Sequence, residues 1–98
     1  AEAKVREAQT RLAQVQAGAK RGDIEAQKAE AESRQATVAR LEAELKKAEW
    51  EYKQYQSLFK DGAIAEQELR NRQLAYEAKG RELQQARQQL EQAIKTLN

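Results

Sequence analysis

The side chains with chemical potential in this chain are carboxylates, a few hydroxyls and four glycines. Glu42 with Glu49, and Glu66 with Glu68, are spaced as acid–base pairs could be. Such a pair works only where a cleft pushes the two pKa values apart. Ser33, Thr37 and Ser57 are the Ser and Thr hydroxyls in the middle of the chain, and none has a plausible base beside it. Histidine and cysteine are absent. Gly18, Gly22 and Gly62 follow no strand and lack the spacing of a phosphate-binding loop. The sequence therefore gives no expectation of catalysis, of a cofactor or of a metal site, and the carboxylates read as a solvated helix face.

The composition explains why no cleft is expected. Of the 39 apolar residues, 19 are alanine, charged residues make up 35%, and Pro, Cys and Met are absent. A chain of this kind, rich in Ala, Glu, Lys, Leu, Arg and Gln, belongs to the long-helix class and cannot build a thick core. The net charge of +2 comes from alternating signs without a basic block, which argues against nucleic acid as a partner. No stretch approaches the roughly 20 apolar residues of a membrane span, so direct membrane insertion by this segment is not expected.

Periodicity supplies the architecture. Val38, Leu45, Tyr52 and Phe59 fall seven apart, with Leu41 and Tyr55 in the alternate seam positions. After a short break, Leu69, Tyr76, Leu83, Leu90 and Leu97 repeat at the same interval. In an antiparallel helix pair, residues of one layer have numbers with a constant total. Phe59 with Leu69, Tyr52 with Tyr76, Leu45 with Leu83, Val38 with Leu90 and Ala31 with Leu97 satisfy that condition. The fold class is therefore all-α, a long antiparallel two-helix coiled-coil hairpin with a shorter preceding helix.

Domain boundaries follow from local signals. The leading helix, residues 1–17, carries Val5, Ala8, Leu12 and Val15 as an apolar stripe. A helix break is expected at 18–22, where Gly18 suits a left-handed C-terminal position. Lys20 and Arg21 complement the helix dipole there, and Asp23 can cap the next helix. The heptad phase also shifts across this point, as it would at a kink. The hairpin then occupies 23–98, with arms 23–59 and 65–98 and a tip at 60–64. Trp50, off the seam, is either a cover for the hairpin flank or an intermolecular contact.

The segment from Glu51 to Leu69, EYKQYQSLFKDGAIAEQEL, resembles the hairpin tip of HlyD-type membrane fusion proteins, the periplasmic adaptors of bacterial export pumps. The run from Arg11 to Ile24, RLAQVQAGAKRGDI, is similar to the DevB branch, which serves ABC-type exporters. The resemblance implies a helical spacer in the periplasm, in a parent anchored in the inner membrane and paired with an ABC transporter. It also implies hexameric self-association and docking of the tip on a TolC-type outer-membrane channel. The family's contacting Arg, Leu and Ser fall on Gln54, Leu58 and Ala65, of which only Leu58 is kept. Gly62, Ala63 and Ile64 complete the expected docking tip, because an apolar turn at an exposed end suits packing into a partner's helix grooves. A different class of reading is a coiled-coil oligomerisation segment with no docking role.

Overall fold

The computed structural model describes residues 2–97 and contains two helices, α1 (Glu2–Lys60) and α2 (Glu66–Leu97). They form a hairpin measuring 91 × 16 × 14 Å. That length is what 59 residues of α1 should span at about 1.5 Å each.

The seam follows the expected register. Val38, Leu41, Leu83 and Ala86 form a buried cluster, with Leu45 and Leu90 packed against it. It unites Val38 with its layer partner Leu90, and Leu45 with Leu83. Toward the tip, Tyr52 and Tyr76 meet with ring centroids 5.8 Å apart and planes tilted by 37°. Tyr55 and Leu69 are half-buried beyond them. Ala31 is buried near the open end of the pair. Burial fades at both ends: Phe59 is 41% exposed and Leu97 36%, so these two expected seam residues do not belong to the core. Phe59 terminates its row where the chain turns, with no further layer beyond it to cover its outer side.

The expected break at 18–22 is absent. α1 runs unbroken through Gly18 and Gly22, and neither has a positive φ. Asp23 lies within the helix and caps nothing. Two interior glycines cost ~1 kcal/mol each relative to alanine, but Ala17, Ala19, Lys20 and Arg21 are strong helix formers and no proline intervenes. The phase shift creates no conflict, because no α2 residue packs there. Every residue from Glu2 to Ala26 is exposed, so the uncovered stretch runs past the leading segment 1–17. The described part of α2 reaches Leu97, in the layer of Ala31, and Ile24, one heptad earlier in α1, is 46% exposed.

The glycines separate two kinds of position. Gly80 lies within α2, and a methyl group there would meet no atom within 4 Å. Gly62 also has space around it, but its φ of +76° is one that side chains resist. We expect Gly80→Ala to stabilise the hairpin by about 0.5–1 kcal/mol and Gly62→Ala to destabilise it by about 1–2 kcal/mol. Thermal melts followed by circular dichroism would separate the two, because ~1 kcal/mol shifts the midpoint by roughly 4–8 °C at this size. Equal shifts of the same sign would refute the assignment.

Candidate functional site

The tip is built by the way α1 stops. The Gly62 N–H donates to the Phe59 carbonyl at 3.0 Å, and the Ala63 N–H to the Leu58 carbonyl at 2.9 Å. With Gly62 at positive φ, this is a Schellman termination, which satisfies two carbonyls of the last turn and reverses the chain direction. α1 reaches Lys60, one residue beyond the expected arm, and its last turn gains a cation at the negative end of the dipole.

Ala65 is the N-cap residue of α2. Its carbonyl accepts from the N–H groups of Glu68 and Leu69, at 3.1 and 3.4 Å. Its methyl side chain caps nothing, whereas serine there would form a capping box with Glu68. Glu66 and Glu68 instead supply negative charge to the first turn.

The turn displays apolar surface at the end of the rod. Leu58 is 40% exposed, Gly62, Ala63 and Ala65 are exposed, and Ile64 is half-buried. Gln54 is exposed one helical turn before Leu58, and the i,i+4 spacing sets both on one face of α1. The six candidate tip residues therefore lie at one end of the molecule, with Ile64 the least available. Trp50 is 63% exposed on the surface of α1.

Behind the tip, a polar ladder joins the two arms. Arg72 donates to Glu51 at 3.2 Å and to the Tyr55 hydroxyl at 3.2 Å, and its guanidinium lies 4.7 Å from the Tyr55 ring centroid. One heptad further down both arms, Lys79 donates to Glu44 at 3.2 Å. Arg87 pairs with Glu42 at 3.3 Å, and Arg34 with Gln89 at 3.0 Å. Hydrogen bonding from Lys79 is the main reason the Glu44 carboxyl titrates below its usual range. The same contact, with a second from Glu82, raises Lys79. A depressed carboxylate stabilises the fold above its unfolded pKa and loses that contribution as pH falls through its folded value. A raised lysine contributes below its unfolded pKa and loses it as pH rises through its folded value.

In the sequence, Glu42, Glu44 and Glu49 have the pattern of a solvated helix face. Glu42 and Glu44 are instead engaged across their own seam, and Glu49 pairs with Lys53 at 3.0 Å along α1. A usable signal was present: opposite charges at seam-flanking positions recur one heptad apart on both arms, Glu44 and Glu51 against Lys79 and Arg72.

Among the described residues, no three His, Cys, Asp or Glu side chains cluster as a metal site would require. No helix there is long and apolar enough to cross a membrane. The depression nearest the tip is a shallow groove lined by Tyr55, Glu68, Asn71 and Arg72, open to solvent. No family model, curated protein or solved structure matches the chain.

Proposed function

We propose that this chain is the helical hairpin of a periplasmic adaptor, a spacer and coupling that performs no reaction. In this reading its parent bridges an inner-membrane ABC exporter to a TolC-type outer-membrane channel. The hairpins of a hexamer would line the conduit and present their tips to the channel. The observation that carries the reading is the apolar tip: Leu58 and Ala63 stand exposed at the closed end of a thin rod, held by a hydrogen-bonded helix termination. A turn needed only for reversal is more often polar. A firmly held apolar end suits insertion between the helices of a partner. Gln54 can donate and accept hydrogen bonds beside Leu58, although it lacks the fork of an arginine.

The test uses the full-length parent with Leu58→Asp and, separately, Gly62→Pro. Aspartate replaces the apolar contact with a charge at an already solvated position, so the helix pair should persist. Proline fixes φ near −65° where +76° is required, which removes the termination. Both variants should lose co-purification of the outer-membrane channel and lose export. Normal export and channel capture by both would sink the docking role.

The rival reading, an oligomerisation segment without docking, has an observation of its own in the exposed stripe along the start of α1. Under it, both tip variants would behave as the parent, and stripe variants would dissociate the assembly.

A further inference from the structure

The helix termination at the tip holds two neighbouring residues with a chemistry of their own. The chain has two aspartates, Asp23 and Asp61, and only Asp61 is followed by glycine. The backbone nitrogen of the residue after an aspartate can attack its side-chain carboxyl carbon and close a five-membered imide. A side chain on that next residue crowds the approach, and glycine has none. Ile24 is β-branched and crowds it strongly, and Asp23 lies inside α1. Asp61 and Gly62 are both exposed. Among the described residues, Asp61 takes part in no intrachain ion pair. Its carboxyl group is free to turn toward the backbone.

We infer that Asp61 is the site at which this chain isomerises, and that the helix termination gates the reaction. In the first step the Gly62 nitrogen bonds to Cγ of Asp61. The bond from Cγ to the carboxyl hydroxyl breaks, and that hydroxyl leaves with the amide proton as water. Addition of one water then opens the imide on either side. Cleavage of the bond from Cγ to nitrogen returns aspartate. Cleavage of the bond from the main-chain carbonyl carbon to nitrogen leaves the chain running through Cγ, an isoaspartate. Water is the only co-reactant, lost and then regained, so the mass of the chain is unchanged.

The folded tip opposes ring closure. The Asp61 N–H donates to the Ser57 carbonyl at 3.1 Å, and the Gly62 N–H to the Phe59 carbonyl at 3.0 Å. Closure requires the Asp61–Gly62 peptide to turn its nitrogen toward the Asp61 side chain and to give up its proton. Both events break the bond to Phe59, and the rotation also draws the Ala63 N–H from the Leu58 carbonyl, 2.9 Å away. The reaction therefore proceeds through local opening of the tip. Its product does not close again. Isoaspartate adds one methylene to the backbone between Asp61 and Gly62, which puts both N–H groups out of register with their carbonyls. It also leaves an α-carboxylate beside the negative end of the α1 dipole. Leu58 and Ala63 then lose the turn that holds them, whatever partner the tip meets.

Ageing the 98-residue chain in warm neutral buffer, with a parallel sample unfolded in concentrated urea, tests the inference. After proteolysis, chromatography and electron-transfer fragmentation distinguish isoaspartate from aspartate at each position. Isoaspartate should accumulate at 61 and stay absent at 23. The unfolded sample should convert roughly tenfold faster or more, because the two hydrogen bonds of the termination no longer oppose the rotation. Asp61→Glu should melt as the parent does and form no isomer, since its ring would need six members. The aged, folded chain, separated from the unmodified one, should melt about 5–15 °C lower through loss of the same two bonds. Equal rates in the folded and unfolded samples would overturn the gating. Conversion at Asp23 as fast as at Asp61, no conversion at Asp61 in urea, or an aged chain that melts with the fresh one would overturn the assignment.

Discussion

Leu83→Asp unfolds the hairpin. Leu83 is 4% exposed, the deepest side chain among the five buried residues. Removing a buried leucine side chain costs about 2–5 kcal/mol through lost transfer energy and the cavity left behind. A carboxylate in its place adds a further penalty, because the cluster around it, Val38, Leu41 and Ala86, offers no hydrogen bond. A core of this size has no second layer to share the loss, and small domains commonly hold only about 5–15 kcal/mol in total. Once the arms separate, α2 becomes a 32-residue helix with glycine in its interior, and its helicity then rests on propensity alone. The expected result is loss of the cooperative melt and a large fall in helical ellipticity at 25 °C. Leu74→Asp is the control, since Leu74 is 49% exposed on the same helix and should melt nearly as the parent does. Two superimposable melts would mean that the seam does not hold the arms together.

The core was readable because burial in a helix pair is a property of periodicity, and seven-residue repeats can be counted without coordinates. Tyr52 against Tyr76 follows from the same count. The ends of the seam were harder. Phe59 obeys the repeat, yet burial also requires a neighbour on each side along the rod, and the layer beside the turn lacks one. The expected break failed for a different reason. Gly18, Lys20, Arg21 and Asp23 are each compatible with a helix end, but each is also tolerated inside a helix. Local signals of this kind decide nothing unless a tertiary contact rewards the interruption, and no α2 residue reaches that part of α1.

The tip was legible in part. Gly62 marks the reversal because no other residue there adopts a positive φ cheaply, and the termination it makes is visible in the backbone hydrogen bonds. The roles assigned to Gln54, Leu58 and Ala65 have another source, the resemblance to adaptor tips. The structure adds their placement: Gln54 and Leu58 on one face, and Ala65 at the N-cap of α2. Placement makes them available to a partner and leaves the partner's identity to the channel experiment.

The second large effect isolates register from composition. Inserting Ala-Ala between Gly80 and Arg81 adds good helix formers and removes no apolar side chain. It nevertheless rotates everything beyond the insertion by about 200°, at about 100° per residue. Leu83, Ala86 and Leu90 then turn outward, and charged or amide side chains turn toward Val38 and Leu41. The expected result is loss of the lower seam, with the melting midpoint falling by 10 °C or more if ~3 kcal/mol is lost. Duplicating residues 81–87 at the same point adds more chain but restores the phase, with only about 20° of drift. Leucines then face Leu45, Val38 and Ala31 in turn, and Leu97 advances to lie opposite Ile24. That variant should melt within a few degrees of the parent, because α2 merely covers one more heptad of the exposed start of α1. If the two-residue insertion were as well tolerated as the seven-residue one, composition alone would be holding the hairpin. If neither were tolerated, contacts specific to this register beyond position 87, such as Arg34 with Gln89, would carry more of the stability than the heptads.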